Sequence, residues 1–132
     1  MAIEESLVVS VLERLQTLGV SLVAEWDTLV FLHSHSPSLC TAAQIARLIR
    51  YEKAEIGAAL QRLEEAGIIQ RSRTFQGTRM YKFIEPPEPG RRSSLLELMS
   101  LDRTRTGRLL LLAQLKRPRQ ERRSRNDGLR LA

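Results

Sequence analysis

Residues 41–71, "TAAQIARLIRYEKAEIGAALQRLEEAGIIQR", decide the fold. Thr41 followed three residues later by Gln44 is a capping box. The hydroxyl accepts from a backbone N–H of the first turn, the glutamine side chain accepts from the cap's own N–H, and two otherwise orphaned donors are satisfied together. A helix therefore starts at Thr41, with Ile45, Leu48 and Ile49 as its inner face and an end near Arg50. A second helix is predicted from Lys53 to Ala66, because Ile56, Leu60 and Leu63 recur at spacings of four and three, and Gly67 can take the left-handed conformation that stops it. Two helices joined so briefly must turn sharply.

After this pair the pattern changes from helical spacing to alternation. "IIQRSR" (68–73) and "RMYKF" (79–83) are rich in β-branched and aromatic residues, and "TFQGT" between them carries the glycine that a hairpin turn needs. A two-stranded ribbon is expected. Before the pair, Ile3, Leu7, Val8, Val11, Leu12, Leu15 and Leu18 mark an amphipathic helix stopped by Gly19. Ser21 is then the expected cap of a helix reaching His33, with Leu22, Trp26, Leu29 and Val30 along its buried side and Pro37 in the loop beyond. "EPPEPG" (85–90) reads as a stiff linker. Beyond it, Ser94 with Glu97 repeats the capping-box pattern, and a further helix capped by Asp102 is expected to run to about Lys116.

The chain thus divides into an N-terminal packing helix (1–20), a helical core with its hairpin (21–84), a Pro-rich linker (85–92), C-terminal packing helices (93–116) and a basic tail (117–132). The tail has almost no apolar content before Leu129 and is expected to be disordered in isolation.

The order helix, capped helix, tight turn, helix, hairpin is that of a winged helix-turn-helix domain, so the expected fold is mainly α with a small β-hairpin wing and extra N- and C-terminal helices. Residues 41–71, through Thr41, Ala46, Ile49, Ile56, Leu60, Leu63 and the closing "LEEAGIIQR", resemble the central segment of the MarR-type regulators. The resemblance implies a homodimer that binds duplex DNA, with the second helix of the motif in the major groove and the wing on phosphates or the minor groove. A groove about 12 Å wide admits one helix, and a twofold dimer presents two about one DNA turn apart. By position, the groove-facing residues are Lys53, Ala54, Glu55, Gly57, Ala58, Gln61 and Arg62. Lys53 and Arg62 can hold phosphate, Gln61 can pair with adenine, Glu55 can accept from cytosine, and the alanines can at most touch a thymine methyl. The sequence departs from the family at Arg50, where many relatives carry glycine, and in a wing without the family's acidic–basic signature.

The net charge of +6 is uneven. Residues 1–40 carry −4 and residues 91–132 carry +8. Arg71, Arg73, Arg79 and Lys82 flank the hairpin as candidate phosphate contacts, and Lys116, Arg117, Arg119, Arg122, Arg123 and Arg125 can add sequence-independent attraction. A helix face of alanine, glycine and glutamate also suits a protein partner, so a winged-helix interaction module is the alternative to a DNA-binding regulator.

Other chemistries find little footing in the sequence. No Gly-rich phosphate loop, HExxH motif or nucleophile elbow occurs, and no enzymatic activity or cofactor is expected. His33, His35 and Cys40 lie close together without the remaining donors of a metal site, and Cys40 before the Thr41 cap reads as structural. The longest apolar run, Leu109–Ala113, is far too short to cross a bilayer, and Glu4 and Glu5 stand where a secretion signal carries positive charge, so a cytoplasmic location is expected. The residues specify neither operator nor effector.

Overall fold

The computed structural model describes residues 2–72, 74 and 76–116. Among these residues, six helices and three short strands follow in the order α1 (Ala2–Leu18), α2 (Val23–Ser34), β1 (Cys40–Thr41), α3 (Ala42–Ile49), α4 (Lys53–Glu65), β2 (Ile69–Arg71), β3 (Met80–Phe83), α5 (Pro89–Asp102) and α6 (Arg105–Ala113). It is a mainly helical winged fold.

The α3–α4 pair forms as its local signals require. Thr41 accepts from the Gln44 N–H at 3.1 Å while its own N–H donates to the Gln44 side chain at 2.9 Å. Arg50 closes α3 in the left-handed conformation (φ 64°), with its N–H on the Ala46 carbonyl. The Tyr51 N–H also reaches that carbonyl, which tightens the turn. Gly19 (φ 86°) and Gly67 (φ 79°) take the left-handed positions after α1 and α4. Leu48 is 60% exposed, so Ala46 joins Ile45 and the partly buried Ile49 as the inner face of α3.

The wing belongs to a three-stranded sheet of order β1-β3-β2. Cys40 and Thr41 pair with Tyr81 and Met80, and Ile69, Gln70 and Arg71 pair with Phe83, Lys82 and Tyr81, all antiparallel. The expected two-stranded ribbon therefore gains a third strand, β1, on the free edge of β3. Two residues of extended chain before α3 find in β3 the partner that their sequence does not announce.

Three helix starts differ from expectation. Ser21 does not cap α2, which begins at Val23; the Glu25 carboxylate Oε1 accepts from the N–H groups of Ser21 and Leu22 at 2.9 and 3.3 Å and does the work of a cap. α5 begins at Pro89, inside the expected linker, because a proline at the first helical position loses no needed N–H and has its φ already set. Ser94 is consequently buried within α5 and caps nothing. Thr104, not Asp102, caps α6, accepting from the Gly107 N–H at 2.9 Å.

The core gathers Val11, Leu15 and Leu18 of α1 with Trp26, Leu29 and Leu32 of α2, Ile45, Ile56, Leu60 and Leu63 of the helix pair, and Leu95, Leu98 and Leu111 of the C-terminal helices. Burying a side chain of this kind contributes roughly 1.5–3 kcal/mol. α1 and α5 run antiparallel, as Arg14 meets Glu97 at one level and Arg91 donates to the Thr17 and Leu18 carbonyls at another. Arg91 also donates to the Ala66 carbonyl, tying the ends of α1 and α4 to the start of α5. Beyond α6, Lys116 closes the fold through its backbone: its N–H donates to the Ser21 carbonyl and its carbonyl accepts from the Val23 N–H.

Candidate nucleic-acid interface

α4 buries Ile56, Ala59, Leu60 and Leu63 and turns Lys53, Ala54, Gly57, Ala58, Gln61 and Arg62 outward, with Glu55 half-buried. At 3.6 residues per turn, Ala54, Ala58 and Gln61 run down the middle of the exposed face. Ion pairs define its two flanks. On one, Glu64 meets Arg71 of β2 at 3.6 Å, so this side faces the wing. On the other, Arg62 Nε lies 3.3 Å from Oε2 of Glu25, so that side faces α2.

The Arg62–Glu25 pair gives Arg62 a partner within the fold. Glu25 is a fully buried carboxylate, and its Oε2 has no hydrogen bond; the arginine supplies charge without the geometry of one. Arg62 is thus already engaged by the protein, and Arg71 is likewise drawn onto Glu64. Arg79 is exposed and Lys82 half-buried, and neither makes a side-chain hydrogen bond or ion pair among the described residues. By the alternation of the strands, Lys82 shares a face with its partner Gln70, opposite to the face of Arg71. Arg73, Arg117, Arg119, Arg122, Arg123 and Arg125 lie outside the described residues. Lys116 is exposed at the seam with Ser21.

Two further cations, outside the helix and wing positions that the motif singles out, stand nearby. Arg47 and Arg50 are exposed around the α3–α4 turn, beside Lys53, and like Lys53 they make no side-chain ion pair among the described residues. The signal was available in the sequence: Arg50 occupies a left-handed position that glycine would take without strain.

A polar cluster fixes the start of α4 from the other side. The Tyr51 hydroxyl donates to Asp27 Oδ2 at 2.7 Å. Arg108 donates through Nη2 to Asp27 Oδ1 and through Nη1 to Asp102 Oδ1, each at 2.9 Å. The Trp26 indole N–H donates to that same Asp102 oxygen at 2.9 Å. Burial first, and then the hydrogen bond to Asp27, push the Tyr51 phenol above its ordinary range, so it remains a neutral donor. Burial pulls Arg108 down, but Asp27 and Asp102 outweigh it and hold the guanidinium above its ordinary value. Trp26, expected as a core anchor, is fully buried and also carries this polar contact.

The cysteine and histidines have structural surroundings. Cys40 is buried in β1, where desolvation raises its thiol pKa. His33 meets the Phe83 ring edge-on at 4.9 Å between centroids, and His35 stacks on Phe31 at 4.1 Å. No group of three metal-ligating side chains occurs among the described residues. No helix among them is long and apolar enough to cross a membrane.

A helix pair with a sharp turn, a second helix exposed along one face, and a sheet-borne hairpin beside it define a winged helix-turn-helix domain. Residues 18–74 match the family described as MarR family. This segment is a MarR-type winged-helix domain, running from the end of α1 through the first strand of the wing. The family is one of transcription regulators. No curated protein and no solved structure matches the chain.

Proposed function

We propose that the protein is a DNA-binding transcriptional regulator that acts as a homodimer, with α4 entering the major groove of duplex DNA and the wing lying on the backbone. The observation that carries this reading is the distribution of cations without a side-chain partner among the described residues: Arg47, Arg50 and Lys53 are exposed along the end of α3, the turn and the start of α4, and Arg79 and Lys82 stand on the adjoining wing. Cations so placed meet phosphates while the small residues Ala54, Gly57 and Ala58 let the helix backbone come close to the bases. Gln61 is the one neutral side chain in the middle of that face able to make a bidentate contact, to adenine. Sequence discrimination is accordingly modest and salt dependence steep.

The dimer reading rests on apolar groups left outside the core. Leu7, Val9 and Leu12 of α1, Leu96 of α5 and Leu109 of α6 are each at least 39% exposed, on the helices flanking the winged core. A twofold partner would cover them. The specific observation favouring the alternative, a protein-interaction module, is the engagement of Arg62 and Arg71 with Glu25 and Glu64 beside an Ala- and Gly-rich face.

Fluorescence anisotropy of the full chain on random-sequence duplex at several salt concentrations separates the two. Binding with a steep salt slope is expected. The K53Q/R79Q double variant should reduce the slope by about 1.8, roughly 0.9 for each phosphate that is no longer neutralised. Absence of binding at low salt would leave the interaction module as the reading.

A further inference from the structure

Among the described residues, Arg14, Arg62, Arg71, Arg91, Arg92 and Arg108 are held in ion pairs. Apart from Lys116 at the C-terminal seam, the unpaired cations fall at three places. Two are the α3–α4 turn and the wing, already described. The third is the turn between α5 and α6, where Arg103 and Arg105 are exposed and make no side-chain ion pair or hydrogen bond among the described residues.

This turn is firmly built. Thr104 caps α6 at the Gly107 N–H, and the Thr104 hydroxyl also donates to the Leu101 carbonyl at 3.4 Å. Gly107 approaches the Leu101 carbonyl so closely that a Cβ would collide with it. Asp102, the last residue of α5, is joined through Arg108 to Asp27 and from there to the hydroxyl of Tyr51, two residues before α4. Three hydrogen bonds therefore tether the α5–α6 turn to the start of the helix that faces the groove.

The tether comes from the α2 flank of α4. Glu55, beside Tyr51, and Arg62, on Glu25, look toward that flank, whereas Glu64 on Arg71 looks toward the wing. A helix seated in a major groove has a phosphate ridge on each side. The wing serves one ridge, and the opposite flank carries no free cation on α4 itself, since Arg62 is committed to Glu25.

We propose that Arg103 and Arg105 form a second backbone clamp, binding the DNA phosphates on the side of α4 opposite to the wing. The inference rests on the DNA-binding reading above. The C-terminal hairpin thus serves as a phosphate-contacting arm as well as packing against the core, and the Tyr51–Asp27–Arg108 chain fixes its distance from the groove helix.

The test uses the full chain and random-sequence duplex of defined length, with anisotropy titrations across a range of salt. R103Q/R105Q is expected to lower the salt slope by about 1.8 and to weaken binding at low salt, with the melting temperature unchanged because neither side chain makes a hydrogen bond or ion pair among the described residues. R14Q/R92Q removes the same charge from paired positions on α1 and α5, and is expected to leave the slope at its wild-type value. An unchanged slope for R103Q/R105Q, or an equal fall for R14Q/R92Q, overturns the clamp while leaving the DNA-binding reading intact. If the unmodified chain shows no salt-dependent binding, the DNA-binding reading fails and the clamp with it.

Discussion

Replacing Arg108 with methionine removes the cation between Asp27 and Asp102 while keeping an unbranched side chain in its place. Two charge-assisted hydrogen bonds at 2.9 Å disappear. In a dry interior each would contribute about 1.5–3 kcal/mol. Arg108, however, is 38% exposed, so solvent screens both, and together they are expected to contribute about 2 kcal/mol. The larger penalty of about 3–5 kcal/mol for stranding a buried charge does not apply, because Asp27 still accepts from Tyr51 and Asp102 from Trp26. Urea denaturation, with an unchanged m-value, should therefore show a loss of about 2 kcal/mol, or a melting point lower by about 8 °C for a domain of this size. D27N in the same background should add less than it does alone, since the two side chains share one interaction. A loss below about 0.5 kcal/mol, with R108M and D27N strictly additive, would show that the cluster is ordinary surface charge and does not hold the C-terminal hairpin to α4.

Two further outcomes probe the helix-turn-helix itself. Thr41→Ala removes the acceptor for the Gln44 N–H and should destabilise the fold by about 1 kcal/mol in the same denaturation assay, since both partners of the capping box are formed. Arg50→Gly relieves the left-handed strain at φ 64° and should raise stability by about 0.5–1 kcal/mol while weakening binding to duplex DNA. Stability and binding moving in opposite directions at this one position would mark the arginine as kept for phosphate contact; stability and binding rising together would remove it from the interface.

Where a structural decision is local, it could be read in the sequence. The Thr41–Gln44 box, the spacing of Ile56, Leu60 and Leu63, and the glycine at 67 each act within one or two turns, and α3 and α4 form where they predict. Ser94 and Glu97 have the same local grammar, yet α5 had already begun at Pro89, and a serine inside a helix that packs on α1 is buried whatever its capping preference. β1 is two residues long and exists only through pairing with β3, so no pattern of its own could reveal it. The site divides in the same way. Helical periodicity sorted the outward face of α4 correctly, with Glu55 only half-buried at its edge. Which of its cations are free depends on partners far away in the chain: Glu25 for Arg62, and the Asp27–Asp102 pair that takes Arg108. Arg47 and Arg50 gain meaning only once those others are seen to be occupied.

The backbone seam between Lys116 and Ser21–Val23 bears on the order in which the molecule is made. A ribosome delivers the N-terminal helices first, and domains tend to fold as units once their residues have emerged. Here the start of α2 is completed by one of the last described residues, so two early backbone groups, the Ser21 carbonyl and the Val23 N–H, must wait for nearly the whole core to be synthesised. The helix-turn-helix can condense around its own local contacts during that wait, but the joint between α1 and α2 is sealed only at the end. The hydrogen bonds of the N-terminal joint are thus among the last that the described chain can make, whereas those of the helix-turn-helix lie within residues 41–66.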